Sequence, residues 1–247
     1  MKLRHSAAML FGALLVCGSA VATPVGAGSF NLSGTVMGTT TGLNFYLTTL
    51  GDQKGVVVNP AIGAFAGLVA ASQQTVQNLT VANGVLPGSA FNFQNWVQLS
   101  DNINLNATQI AINTSIPVCS GTAFDNPANA LGCRPNATSP VVLLQKGDQA
   151  GNPNGVSASL IINGFAHFAG DSDLTPFIGT LNGADSDFTT VSSLVSYYNT
   201  NGGVPAIGYQ ASFTTVTAVP EPMTMAFLGL GLLGIGVCRR TRSDRRA

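Results

Sequence analysis

Residues that could perform acid–base chemistry are scarce in this chain of 247 residues. Its only glutamate is Glu221, and the only histidine beyond residue 5 is His167. Hydrolases and metal enzymes are built mainly from these residue types. A hydrolytic site would need His167 to converge with Asp171 and Asp173 in a cleft, and no nucleophile-elbow or zinc-protease motif accompanies them. The sequence therefore predicts a protein that is not an enzyme, with a secreted hydrolase as an alternative.

Two aspartate pairs, Asp171 with Asp173 and Asp185 with Asp187, form the sharpest cluster of candidate metal ligands. Carboxylate oxygens on loops suit Ca²⁺, which prefers hard oxygen donors. Neither pair fits an EF-hand loop, because the later ligands and the closing glutamate are missing. Aspartates at this spacing also form Asx turns and helix N-caps. The sequence favours these turns and predicts no cofactor, with Ca²⁺ as the alternative.

Turn-forming residues separate Cys119 from Cys133, among them Gly121, Asn126-Pro127 and Gly132. Neither cysteine has a neighbouring histidine or a Cys-x-x-Cys spacing, which argues against metal binding. An isolated cysteine pair in an exported protein usually forms a disulfide. Closing a loop of about 15 residues would stabilise the fold by about 3 kcal/mol in the chain-entropy model. The sequence predicts a Cys119–Cys133 disulfide.

Aromatic side chains in the chain could stack on sugar rings. The candidates are Tyr46, Trp96, Tyr197, Tyr198 and Tyr209. If they formed a flat, exposed strip, the protein would be a carbohydrate-binding matrix module. Aromatic residues also dominate the interiors of β-domains, and the sequence favours this second role.

The body of the chain, residues 23–219, carries few charges. It contains only three cations, Lys54, Arg134 and Lys146, against eight aspartates, which gives a net charge of −5. A nucleic-acid-binding protein needs a basic surface to neutralise phosphates. The composition therefore excludes nucleic acid as a partner.

Short stretches of alternating apolar and polar residues run through the body, separated by clusters of Gly, Asn, Pro and Thr. A period of two with β-branched and aromatic residues predicts strands. The candidate strands cover residues 30–36, 43–47, 91–94, 103–112, 141–144, 157–168 and 207–216. Many short strands joined by turns favour an all-β domain, an antiparallel β-sandwich-like body.

Two segments depart from this pattern. Apolar residues from Val191 to Tyr198 recur with helical spacing, which predicts one short helix over 188–200 that Asp187 or Thr189 caps. The region 61–76 is rich in alanine but contains glycines that weaken a helix, and it is interpreted as a strand.

The N-terminus has the three parts of a secretory signal peptide. Lys2 and Arg4 give a basic start, residues 7–16 are apolar, and Ala20-Val21-Ala22 is an Ala-x-Ala cleavage site. The apolar stretch is too short for a comfortable permanent span. Residues 1–22 are therefore predicted to be a signal peptide, and residues 23–219 an extracytoplasmic domain.

The C-terminus joins a short polar motif, an apolar run and a basic tail. Pro220, Glu221 and Pro222 stand directly before residues 223–238, which contain no charged side chain. As a helix this run would be about 24 Å long, a little short of a bilayer core of roughly 30 Å. The basic residues directly behind it include Arg239, Arg240 and Arg242. The sequence predicts a single C-terminal transmembrane helix whose arginines stay cytoplasmic.

This order of parts over residues 220–247 resembles the PEP-CTERM sorting signal of Gram-negative bacteria. The resemblance implies recognition and cleavage by an exosortase, a membrane-embedded cysteine transpeptidase-like enzyme. It also implies export across the inner membrane, transient membrane attachment and delivery to the envelope, the cell surface or the medium. Proteins of this kind are often associated with exopolysaccharide and biofilm, so exopolysaccharide is a candidate partner. The alternative is a simple membrane-anchored protein that keeps its C-terminal peptide.

Overall fold

The computed structural model describes residues 24–39, 41–129, 132–147, 150–151, 153–185 and 187–216. Within these ranges the chain forms twelve β-strands, one 3-10 helix and one α-helix. The first strands are β1 (Gly28–Thr39), β2 (Gly42–Tyr46), β3 (Lys54–Val57), β4 (Ile62–Gly63), β5 (Gln73–Val76) and β6 (Leu79–Thr80), followed by the 3-10 helix Val81–Asn83. The later elements are β7 (Ala90–Gln98), β8 (Ile103–Ala111), β9 (Val142–Gly147), β10 (Pro153–Phe168), β11 (Thr175–Asp185), α1 (Val191–Asn201) and β12 (Gly203–Thr215). The predicted signal peptide and the segment 220–247 lie outside the described residues.

The strands form one antiparallel sheet that closes into a barrel of eight strands. Closure occurs at β1, which pairs with β12 along one edge and with β3, at Leu32 and Ser33, along the other. Around the ring the order is β1, β3, β5, β7, β8, β10, β11 and β12. The predicted antiparallel all-β class is confirmed, but the predicted sandwich is wrong, because a sandwich needs two separate sheets. Inward and outward residues alternate in both architectures, so the sequence pattern does not distinguish them.

Aromatic rings fill the barrel interior. Trp96 is 0% exposed, and its ring lies 5.7 Å from Phe213, 6.0 Å from Phe45 and 6.4 Å from Phe177, measured between ring centroids. Phe30 stacks on Phe213 at 4.9 Å. Small barrels are filled by side chains in this way and leave no open channel. The interior is thus a packed core.

Inward-facing glycines make room for some of these rings. Gly179 on β11 faces the core, where an added Cβ would lie 2.7 Å from Cε1 of Phe213. Gly34 on β1 lies opposite Tyr209, and a Cβ there would approach the tyrosine ring to 2.9 Å. Aromatic rings that cover glycines on neighbouring strands are a known device for pinning strand register.

A second, smaller core packs α1 against the outside of the barrel. Val191 and Leu194 of the helix are buried with Cys133, Leu143 and Val156. The predicted helix over 188–200 is confirmed, with a shift of a few residues at its start. Its cap is Thr190, whose Oγ1 accepts the Ser193 N–H at 3.3 Å, and not Asp187 or Thr189.

The interpretation of 61–76 as a strand is largely wrong. Only β4 and β5 are extended there, and turns join them. Phe65 and Leu68 in these turns are buried, and Phe65 packs on Phe30 with ring centroids 4.7 Å apart. The segment contributes these apolar side chains to the same core as the barrel interior.

Candidate functional site

The two aspartate pairs lie at opposite ends of β11. Asp171 and Asp173 belong to the turn before this strand, while Asp185 ends the strand and Asp187 follows it. In each pair the first carboxylate accepts the backbone N–H of the second residue, at 3.2 Å for Asp173 and 2.8 Å for Asp187. These are Asx turns. Within the described ranges, no three side chains of His, Cys, Asp or Glu gather as a metal site would require.

A pocket of about 340 Å³ lies on the outer face of the barrel where β7, β8 and β10 run side by side. We call it the His167 pocket. Its position follows from the strand pairing, since Phe165 on β10 stands opposite Asn106 on β8. The turn before β11 supplies two further residues. The pocket is lined by Asn92, Gln94, Asn106, Thr108, Phe165, His167, Asp171 and Leu174.

Hydrogen bonds fix the orientation of His167. Its Nδ1 lies 2.9 Å from the carbonyl oxygen of Phe168, which can only accept, so Nδ1 carries the hydrogen. Its Nε2 lies 3.3 Å from Oδ1 of Asn106. That oxygen already accepts the N–H of Asn95 at 2.7 Å, which fixes the orientation of the Asn106 amide. Both ring nitrogens of His167 therefore face oxygen atoms that can accept hydrogen bonds.

A β-bulge beside the pocket holds Asn106 in this orientation. The pairing of β7 with β8 shifts register between Phe93 and Val97. Asn95 within this bulge has φ 53°, in the left-handed region that few non-glycine residues adopt. Its N–H thereby reaches Asn106, and its carbonyl accepts Nε2 of Gln77 at 2.9 Å. Bulges are frequent next to functional sites because they redirect side chains.

The predicted hydrolytic trio is only partly assembled. His167 and Asp171 line one pocket, but Asp173 is not among its lining residues. Thr108 is the one hydroxyl-bearing residue of the lining, and its Oγ1 is close enough, at 3.3 Å, to donate to the carbonyl of Asn163. A nucleophile would have to hydrogen-bond to the base instead.

A larger and shallower trough, of about 970 Å³, runs along the outer faces of β1, β12, β11 and β10. We call it the outer trough. Its floor carries amide and hydroxyl side chains that form no hydrogen bond within the described residues. They include Asn31, Ser33, Asn182, Gln210 and Ser212. Opposing residues on neighbouring strands, such as Gln210 with Ser33 and with Asn182, make this surface continuous.

The aromatic residues do not form an exposed strip. Trp96 is 0% and Tyr209 4% exposed, and both belong to the barrel core. Tyr197, on α1, is 38% exposed and packs edge-on against Phe188. The prediction that these aromatic residues belong to the core is confirmed for Trp96 and Tyr209. Because Trp96 is buried, it cannot stack on a sugar ring at the surface.

Cys119 and Cys133 form a disulfide, as the sequence predicts. The loop between them reaches the start of α1, where the Asp125 carboxylate accepts the N–H of Ser192 at 2.8 Å and its hydroxyl at 2.6 Å. On the other side, Oε1 of the buried Gln145 accepts the Val191 N–H at 2.9 Å. Asp125 of the disulfide loop and Gln145 of β9 therefore each satisfy one free donor at the helix N-terminus.

The environment shifts the pKa of three groups. Backbone donors, above all the N–H of Thr48, hold the pKa of the Asp52 carboxyl well below its usual range. Burial raises the pKa of Asp101, whose Oδ2 has no hydrogen-bond partner among the described residues. Burial also raises the pKa of the Tyr209 phenol, whose hydroxyl is equally unpartnered there. None of the three lines the His167 pocket.

A family model of the PEP-CTERM protein-sorting motif matches residues 218–240. The chain carries a PEP-CTERM sorting signal. The match covers Pro220, Glu221 and Pro222, the whole apolar run and the first two arginines. The PEP-CTERM signal implies export, membrane-linked sorting and recognition by an exosortase-type processing enzyme. No curated protein and no solved structure matches the chain.

The PEP-CTERM signal itself lies outside the described residues, as does the predicted signal peptide. No helix among the residues that the structure describes is long and apolar enough to cross a membrane. The sorting motif and the disulfide are both visible in the sequence, as are His167 and Asp171 as candidate residues. No sequence pattern points to Asn92, Gln94 or Asn106, because their convergence depends on strand pairing.

Proposed function

We propose that this chain is an exported, non-catalytic protein of the cell surface or extracellular matrix. Its barrel would be delivered across the inner membrane and released through cleavage at the C-terminal PEP-CTERM signal. The observation that carries this proposal is the motif match at residues 218–240. The Cys119–Cys133 disulfide supports it, because disulfides persist in oxidising compartments outside the cytoplasm.

Each part of the signal has a physical role in this proposal. Glu221 between two prolines would be the recognition element, since a residue before proline is biased away from the helical region by its sequence context. The apolar run 223–238 would hold the substrate in the membrane, and Arg239 and Arg240 would keep its end in the cytoplasm. Cleavage would then separate the barrel from this membrane segment.

Mass spectrometry of the mature C-terminus tests the proposal directly. The wild-type protein recovered from the producing cells should lack its arginine tail, whereas Glu221→Ala should accumulate with the tail attached. Asp244→Ala is the matched control, since it removes the other acidic side chain of the C-terminal segment outside the Pro-Glu-Pro motif. Asp244→Ala should be processed like the wild type. A wild-type protein that retains residues 239–247 would be a permanently anchored protein, and the proposal would be wrong.

The non-catalytic part of the proposal is supported by the His167 pocket. The hydrogen of Nδ1 is directed at the Phe168 carbonyl, and Nε2 faces Asn106 and not a nucleophile. A secreted hydrolase remains the competing function, and it predicts activity that is lost in Asp171→Asn. Wild-type activity no higher than the buffer background and no higher than that of Asp171→Asn, on every glycoside and ester offered, would support the non-catalytic role.

Exopolysaccharide of a biofilm matrix is the partner that we propose for the released barrel. One observation favours it: the outer trough and the His167 pocket present uncharged amide and hydroxyl groups that have no partner within the described protein. Such groups can exchange hydrogen bonds with sugar hydroxyls in both directions. Co-sedimentation of the purified protein with the matrix polysaccharide of the producing cells tests this partner.

A further inference from the structure

We propose that the His167 pocket binds one ring of a neutral sugar, either as a free monosaccharide or as a residue of a polysaccharide. The inference rests on the proposed polysaccharide partner and adds the place and the chemistry of the contact. Its basis is a single location that joins unpartnered polar groups, an apolar platform and a suitable volume.

Unpartnered hydrogen-bonding groups surround the pocket. Asn92 and Gln94 are exposed on the outer face of β7, and their amides form no hydrogen bond within the described residues. Asp171 uses Oδ1 for the N–H of Asp173, which leaves Oδ2 free to accept. His167 lines the pocket beside them, and its two ring nitrogens face the Phe168 carbonyl and Oδ1 of Asn106. The lining thus offers both donors and acceptors, as a ring of hydroxyl groups requires.

Apolar side chains form another part of the lining. Phe165 is half-buried on β10, and Leu174, 51% exposed, lies in the turn before β11. Their proximity to amides and a carboxylate suits a ligand with one apolar face and a polar edge. A sugar ring has this character, since its C–H bonds gather on one face and its hydroxyls point outward. A phosphate or a simple cation would leave these apolar side chains without a contact.

Size and charge narrow the ligand further. A volume of about 340 Å³ is near the lower end of the range for small-molecule pockets, about 300–1,000 Å³. Asp171 is the only acidic residue in the lining, and no lysine or arginine accompanies it. An anionic sugar would place a second carboxylate in the same pocket as that of Asp171, and the two like charges would repel each other. The pocket is therefore expected to select a neutral sugar over a uronic acid.

The outer trough is the competing location on the same molecule. It carries comparable amides, yet its floor is the flat outer face of four strands and presents Asn182, Gln210 and their neighbours to solvent. The trough therefore supplies a matched control for the His167 pocket, since removal of one exposed amide can be compared at the two places.

Nuclear magnetic resonance of the His167 imidazole tests the proposal on the full chain, in a detergent without a sugar headgroup. His5 is the only other histidine and lies in the predicted signal peptide. The probes are glucose, galactose, mannose and N-acetylglucosamine, with glucuronate as the charged comparison and neutral dextran and galactan as polymers. The variants are Asn92→Ala and Gln94→Ala in the pocket and Asn182→Ala in the trough, and all three side chains are exposed.

A saturable shift of the His167 signal with at least one neutral sugar or polymer is the expected result. Asn92→Ala and Gln94→Ala together should weaken binding at least about tenfold, equivalent to about 1.4 kcal/mol. Asn182→Ala should leave binding unchanged, and glucuronate should bind more weakly than glucose. Binding of a monosaccharide would indicate a self-sufficient site, and binding of a polymer alone would indicate one subsite of a longer surface; both support the proposal.

Two outcomes would overturn the proposal. Wild-type binding that Asn182→Ala weakens and the pocket variants do not would place the sugar in the trough, while the polysaccharide partner would stand. Absence of a shift with every sugar and polymer would remove the pocket site. If the matrix polysaccharide also failed to co-sediment with the protein, the proposal that exopolysaccharide is its partner would be wrong as well. Neither outcome bears on the PEP-CTERM signal, whose test is the mature C-terminus.

Discussion

Replacing Trp96 by alanine should destabilise the barrel and should not act through sugar binding. Trp96 is 0% exposed and lies between three phenylalanine rings of the core. Truncation of a buried Trp or Phe to Ala typically costs about 3–5 kcal/mol. Because 1 kcal/mol shifts the midpoint of a domain of this size by about 2–4 °C, the expected fall in Tm is about 6–20 °C.

Trp96→Phe separates ring packing from the indole N–H. Nε1 of Trp96 has no hydrogen-bond partner among the described residues, and burying such a group costs about 1–3 kcal/mol. Phenylalanine removes this penalty but leaves a small cavity. The cavity costs about 24 cal/mol per Å³, and the removed atoms also lose their transfer free energy, so the total cost is similar in size to the penalty removed. The two effects nearly cancel, so Trp96→Phe should unfold within about 1 kcal/mol of the wild type.

Thermal unfolding followed by far-ultraviolet circular dichroism measures both variants, because this probe does not depend on the single tryptophan. Tyr197→Ala is the matched aromatic control, since this ring is 38% exposed and, among the aromatic residues that the structure describes, contacts only Phe188. It should cost about 1 kcal/mol. A Trp96→Ala protein with unchanged Tm would show that the Trp96 ring does not belong to a packed core. The conclusion that aromatic rings pack the barrel interior would then be wrong.

Two further predictions concern loops. Asp52→Asn should lower stability at neutral pH, because the carboxylate accepts hydrogen bonds from Leu47, Thr48 and other donors of its loop. Because folding lowers the pKa of Asp52, the difference in unfolding free energy between wild type and Asp52→Asn should be complete above the unfolded pKa of about 3.9 and should shrink as the pH falls towards the folded value. Urea unfolding from pH 7 to pH 2 measures this difference. A difference that stays constant over this range would contradict the prediction. Reduction of the disulfide should cost about 3 kcal/mol. It should also diminish the effect of Asp125→Asn, expected at about 0.5–1.5 kcal/mol because an amide nitrogen replaces one of the two oxygens that accept hydrogen bonds from Ser192. A double-mutant cycle of Asp125→Asn with Cys133→Ser measures this coupling, and strict additivity would mean that the loop holds Asp125 at α1 without the disulfide.

Local patterns were sufficient for several elements. Alternation at 30–36, 103–112 and 157–168 identified β1, β8 and β10, because each of these strands has one face in the core and one in water. Helical spacing likewise identified α1, whose Val191 and Leu194 are its buried residues. In such segments a single buried face dictates the residue types, so the sequence alone records the structure.

β11 was missed because its inward face is partly made of glycine. Phe177 and Leu181 face the core, but Gly179 stands between them to leave room for Phe213 from β12. When a glycine takes the place of a large residue at an inward-facing position, the alternation typical of a strand is interrupted, and the segment resembles a loop in the sequence. Only the partner strand shows that the missing side chain is supplied from elsewhere.

The sequence alone was enough to identify the sorting signal. The Pro-Glu-Pro motif, the apolar run 223–238 and the arginines are contiguous, and membrane sorting depends on this linear order. The tertiary structure decided that the sheet closes and that Asn92, Asn106 and His167 meet at one pocket. Both depend on which distant strands exchange backbone hydrogen bonds, and the two-residue period of a strand is the same whichever neighbour it pairs with.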